Sequence, residues 1–208
     1  MPRKPPVSST PAVATTDGRR MRSERTRQIV IEAYLDLLRS DLRMPTAAQI
    51  AAKAGISVRS IFERFSDLNA LSLATADHAI IQAQAESAAR DVDADRPTRI
   101  RSHILIRALA CEKWLPLWRV ILNTQQDVPD LRTRVVLTRY ANIERMRLMY
   151  APELSTLADA EREPLLKALA TLISFESWDQ LRGCYGLSID DAQAVWRVAI
   201  DRMLPATP

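Results

Sequence analysis

Glycine is scarce in this chain. Only 4 of its 208 residues are glycine, and stretches of strand-type alternation are few, which argues against a hairpin-rich sheet protein and for an all-helical build. Cysteine is scarcer still. Cys111 and Cys184 stand far apart and without partners at metal-ligand spacing. That excludes a disulfide scaffold or a zinc module and fits a reducing cytoplasm. A buried, inert thiol is the simplest role for either. No stretch approaches the ~20 apolar residues of a membrane span. The first 18 residues hold four prolines and scattered Ser/Thr but no apolar segment, so they do not read as a secretory signal. Metalloprotease, serine-hydrolase, P-loop and dinucleotide-binding motifs are missing. His103 and Cys111, two turns apart on one expected helix, are separated by about 12 Å, too far for a nucleophile and its base. No enzyme is expected, and no cofactor or metal.

What is present is ordinary in amount and uneven in placement. Hydrophobic residues make up 47% and charged residues 26%, the balance of a soluble globular protein with enough chain for one generous domain or two small ones. Residues 1–66 carry 12 Lys/Arg against 6 Asp/Glu, whereas residues 67–208 carry 17 against 19. A basic head on a nearly neutral body is the electrostatic footprint of a DNA reader.

The most specific segment is TAAQIAAKAGISVRSIFERF, residues 46–65. Thr46 can cap a helix, with Gln49 placed to complete a capping box. Ile50, Ala51 and Ala54 mark its apolar side. Gly55 stands where the chain must bend and suits a positive φ. Ala51, four residues earlier, is small enough for two helices to cross closely. Ile56 plugs the turn, and Ser57 caps the next helix. Ile61, Phe62 and Phe65 supply its buried side; Val58, Arg59, Ser60 and Arg64 face out. Such an arrangement presents a recognition helix to the major groove. Arg59 suits a guanine edge, Val58 a thymine methyl, and Ser57, Ser60, Arg64 and the helix N-terminus suit phosphates.

Residues 46–71 resemble the TetR (tetracycline repressor-like) family of regulators. The pattern appears as Thr46, Ile50-Ala51, Ala54-Gly55-Ile56-Ser57, Ser60-Ile61-Phe62, Phe65, Ser66 and Leu71. Three positions depart from it: Phe62 replaces a tyrosine, Arg64 a histidine and Leu68 a lysine, which removes a phosphate-contacting hydroxyl and one cation. The resemblance implies a DNA-contacting set of Thr46, Ser57, Val58, Arg59, Ser60, Phe62 and Arg64. It also implies a helical effector-binding and dimerisation body.

The expected architecture is all-α, with about nine helices. A flexible basic arm over 1–22, with Arg19, Arg20 and Arg22 near a minor groove, leads into a helix-turn-helix head over 23–66 and a body over 67–208. The first helix is expected over 23–40, on the stripe Val30, Ala33, Tyr34, Leu37 and Leu38. Asp67 caps a helix reaching about residue 90, with Leu71, Ala74, His78 and Ile81 on one face. Further helices are expected over 97–115, ending at Pro116, then over 117–126, 129–150 and 164–182. The stretch 154–163 reads as a polar connection. Ser188 and Asp191 form a second capping box for a last helix ending near Leu204-Pro205.

Aromatic, sulfur-bearing and polar residues at helical spacing nominate an effector cavity in the body from His103, Arg107, Trp114, Trp118, Met146 and Trp178. The resemblance implies a homodimer interface on the last two expected helices, with Leu165, Leu169, Leu172, Ile173 and Trp196 as its contributors. The function these features point to is sequence-specific regulation of transcription: a homodimeric, cytoplasmic repressor on a palindromic double-stranded operator, released by a small-molecule effector. The alternative is an all-helical interaction protein with a degenerate DNA-binding motif.

Overall fold

A computed structural model describes residues 14–40 and 43–208, and their secondary structure is entirely helical. The part of the expected arm over residues 1–13 lies outside the described residues. Three helices, α1 (Ala14–Ser40), α2 (Ala47–Ala54) and α3 (Val58–Phe62), form the head. The body comprises α4 (Leu68–Glu86), α5 (Arg96–Thr124), α6 (Pro129–Met149), the single turn α7 (Ala151–Leu154), α8 (Asp159–Leu172), α9 (Phe175–Asp179) running into a π turn at Gln180–Cys184, and α10 (Ile189–Met203).

The stripe read on the first helix is its buried face: Val30, Ala33, Tyr34 and Leu38 are closed to solvent, and α1 packs on both α2 and α4. The helix itself begins nine residues before the expected start. Met21, the large apolar residue described before the expected start, is exposed, so no buried periodicity revealed this extension. The added turns extend an already nucleated helix, which costs far less than starting one. Arg20 and Arg22 therefore stand on a helical stem rather than a loose arm.

Pro116 does not end α5. A proline inside a helix costs about 3 kcal/mol or more through its missing N–H and its clash with the preceding turn. Here Trp114, Leu117, Trp118 and Ile121 are all buried around it, and each such side chain contributes about 1.5–3 kcal/mol. Burial wins, and the two expected helices are one, capped at the start by Asp95, whose carboxylate accepts from the Thr98 N–H at 2.9 Å. The opposite happens further on. The helix expected over 164–182 begins earlier, at Asp159, and breaks at Ile173-Ser174. There Arg107 Nε donates to the Ile173 carbonyl at 2.8 Å, and Ser174 caps α9 through the Ser177 N–H at 3.1 Å. The helix after Asp67 stops at Glu86, and its expected apolar face ends early, since Ile81 is 67% exposed.

The body core is centred on α5, which packs on α4, α6, α9 and α10 and touches α1. Trp178 and Trp196 pack at 4.7 Å between centroids at the α9–α10 contact. Cys111 is fully buried, and burial pushes its thiol up to about 11, as an inert core cysteine requires.

Candidate nucleic-acid interface

The α2–α3 turn is built by caps at both ends. The Thr46 hydroxyl accepts from the Gln49 N–H at 3.3 Å while the Thr46 N–H donates to Gln49 Oε1 at 2.9 Å, a reciprocal capping box. α2 ends at Gly55, which has φ 67°. Its N–H reaches the Ala52 carbonyl, and the Ile56 N–H reaches the Ala51 carbonyl at 3.1 Å. This is a Schellman closure, which needs a left-handed residue and so favours glycine. Two residues later the Ser57 hydroxyl accepts from the Ser60 N–H at 3.1 Å and starts α3.

Around α3 the candidate residues separate into three groups. Val58, Arg59 and Phe62 share one exposed face, with Arg59 88% exposed at its side chain and paired to Glu63 at 3.1 Å. Ser57 and Ser60 are engaged with each other, their hydroxyls 3.0 Å apart, and the Thr46 hydroxyl is held by its cap. Arg64 folds back: its side chain is 22% exposed and donates to the Ser60 carbonyl at 2.9 Å. Two expectations are thereby corrected. Phe62 is 45% exposed rather than buried, because α3 is only five residues long and ends as Phe62 points away from Ile61. Arg64 lies beyond that end and turns inward toward α3's own backbone. Phe65 does close the head, buried beneath the Arg27 guanidinium at 4.6 Å.

In the body, α5, α6, α8 and α9 line a half-open cavity of about 400 Å³. Arg107 and Trp118 line it, as nominated; Arg139, Asn142, Lys167 and Glu176 join them from three other helices. These four were missed because they are distant in sequence and polar; only the turn spacing of Arg139 and Asn142 hinted at a shared face. Trp114 lines a smaller apolar cleft beside Trp118.

Neither the protein-family models nor the curated proteins include a match to this sequence. Solved structures do match it. A protein described as a TetR-family transcriptional regulator from Rhodococcus sp. superposes with a TM-score of 0.63 at 17% identity, covering 87% of this chain and 99% of its own. One of the same description from Mesorhizobium loti MAFF303099 gives 0.55 at 18% identity, covering 88% and 96%. The chain has a TetR-like fold.

Within this TetR-like fold, three of the nominated cavity residues are core. His103, Met146 and Trp178 are buried. His103 Nδ1 lies 2.8 Å from the Tyr150 hydroxyl, and Trp178 Nε1 donates to Glu112 at 2.7 Å. Burial, with smaller contributions from the charges of Arg145 and Arg107, lowers His103 to about 3, so the ring is neutral. Three of the expected dimer contacts are core as well. Leu169, Ile173 and Trp196 are fully enclosed within the chain, while Leu165 and Leu172 are half-buried. The apolar side chains that α10 offers to solvent are Val195 and Val198, with Ile189 and Met203 at its ends. No helix among the described residues is long and apolar enough to cross a membrane.

Proposed function

We propose that the protein is a sequence-specific DNA-binding regulator of transcription and not an enzyme. It acts as a homodimeric repressor on a palindromic operator and is released by a small-molecule effector. The observation that carries this reading is Arg59: a solvent-exposed guanidinium, tied only through Nε to Glu63, beside Val58 and Phe62 on the helix that follows a fully capped turn. A bidentate arginine–guanine contact discriminates by about 1–3 kcal/mol, and Val58 and Phe62 suit thymine methyl groups. The fold shared with the two regulators above supports it. The reading places the protein in the cytoplasm, where the free thiols Cys111 and Cys184 stay reduced.

Dimerisation follows from the task, since two heads must reach successive major grooves about 34–36 Å apart. The α10 face bearing Val195 and Val198 is the surface for it. Selection of bound sequences from random duplex DNA is the test. A palindromic consensus is the expected outcome, and Val198→Glu should yield a monomer in light scattering with loss of that binding. Recovery of unrelated sequences, or of none, would overturn the reading in favour of an all-helical interaction protein.

A further inference from the structure

The cavity between α5, α6, α8 and α9 carries an imbalance of charge that the fold itself does not require. Arg107, Arg139 and Lys167 line it, against one carboxylate, Glu176. That carboxylate is already occupied, accepting from Arg139 at 2.8 Å and from Trp118 Nε1 at 3.2 Å. Burial alone would raise Glu176, yet hydrogen bonds from the backbone, Arg139 and Trp118 pull it below its ordinary value, so it stays ionised and paired. Among the described residues, Arg107 and Lys167 pair with no acid. Arg107 spends Nε on the Ile173 carbonyl, and its terminal nitrogens have no acceptor.

Beyond the wall two further basic side chains are incompletely satisfied. Arg145 and His103 each bury a nitrogen without a partner, one terminal guanidinium nitrogen and Nε2 respectively. Among the described residues Arg145 also has no acidic partner; it donates to the Ser87 hydroxyl at 2.9 Å. Burial lowers Arg145 from its ordinary value, and the nearby charge of Arg107 lowers it further. The partly buried Arg107 and Arg145 repel one another, and an anion bound at Arg107 would relieve that repulsion.

The cavity has an apolar wall too. Trp118 and Phe175 stack at 4.8 Å with 24° between their planes, and the Arg107 guanidinium lies 4.4 Å over the Phe175 ring. The ring faces are taken up within this stack, and it is the edge of Trp118 and Phe175 that lines the cavity and offers a flat ring system an edge-on contact; the volume of about 400 Å³ falls in the usual range for small-molecule sites.

We propose that this cavity binds an aromatic carboxylate, its ring against Trp118 and Phe175 and its carboxylate on Arg107 and Lys167. The proposal rests on the effector reading above and names the chemical class of that effector.

Calorimetric titration of the full-length protein with 2-naphthoate and, separately, with neutral 2-naphthamide tests it. Saturable binding of the acid, at least tenfold tighter than of the amide, is expected. Arg107→Gln should weaken the acid at least tenfold. Because Arg107 also holds the Ile173 carbonyl, Lys167→Gln, at an exposed side chain that no hydrogen bond ties down, serves as the second variant and should weaken it severalfold with an unchanged circular-dichroism spectrum. Equal affinity for acid and amide, no binding of either, or acid binding indifferent to both substitutions would overturn the assignment. Anisotropy of a selected duplex with and without 2-naphthoate separates the two ideas. If the acid binds and the duplex stays bound, effector release fails and the ligand class stands. If the duplex binds and the acid does not, the ligand class fails and the regulator reading stands.

Discussion

The Tyr34 hydroxyl meets the Ser72 hydroxyl at 2.9 Å, with both residues closed to solvent. The pair ties α1 of the head to α4 of the body. Burial raises the Tyr34 phenol above its ordinary value, opposed by the Ser72 hydrogen bond, so it stays protonated. A tilt of α4 must therefore carry α1 with it or break a hydrogen bond in a dry place. Arg134 on α6 grips the same helix through both oxygens of Asp77, at 2.8 and 3.3 Å. In the effector release proposed above, these two contacts are the physical route from body to head.

Tyr34→Phe should lower stability by about 1–3 kcal/mol, because it leaves the Ser72 hydroxyl buried without its partner. Adding Ser72→Ala should recover part of that loss. Urea denaturation of the three variants measures the coupling, and a double mutant as unstable as the sum of the singles would show that the pair contributes nothing.

Gly55→Ala is expected to cost about 1–2 kcal/mol. The space is open, with nothing within 4 Å of the added methyl, so the whole effect is backbone strain at φ 67°. Gly55→Asn should be milder, since asparagine tolerates the left-handed region better. Thermal unfolding ranks the three proteins, and equal midpoints for all of them would contradict the strain argument.

Arg59→Ala should leave stability within about 0.5 kcal/mol, as an exposed i,i+4 ion pair contributes little. It should lose roughly 1–3 kcal/mol of discrimination at one operator position. Arg64→Gln should act differently: its side chain is bound to the backbone of α3, so it should weaken the fold of the head more than any single base preference. Binding assays on single-base operator variants, run beside denaturation curves, tell these outcomes apart.

Acid should loosen the protein through His103 before it reaches the carboxylates. Folded, the ring titrates at about 3, chiefly through burial and secondarily through Arg145 and Arg107, against an ordinary value of 6.5. Between these values the unfolded chain binds one more proton than the folded one. Stability is therefore complete above 6.5 and falls as pH drops below it, by at most about 1.4 kcal/mol per unit. Glu176, held below its ordinary 4.5, adds its own loss only at lower pH. Urea midpoints at pH 7, 6 and 5 should decline in the wild type and decline less in His103→Gln.

The turn was legible because its signals are local. Thr46 with Gln49, Gly55, and Ser57 act on backbone groups three to five residues away, and each does in the structure what its chemistry called for. The caps at Asp67 and Ser188 were legible for the same reason. Which faces of α3 are buried was less so. Five residues are too few for a periodic stripe, and Phe62 went to solvent despite its hydrophobicity.

The sequence by itself determined the helical class, the capped turn and the concentration of positive charge at the N-terminal side, all of which follow from composition and short-range hydrogen bonding. Tertiary packing alone decided that α5 runs through Pro116, that the chain breaks at Ile173 where Arg107 takes the carbonyl, and that His103, Met146 and Trp178 are core while Arg139 and Lys167 face a cavity. Those outcomes depend on side chains dozens of residues apart meeting in space. Their burial energies of several kcal/mol exceed the local preferences that a linear reading can weigh.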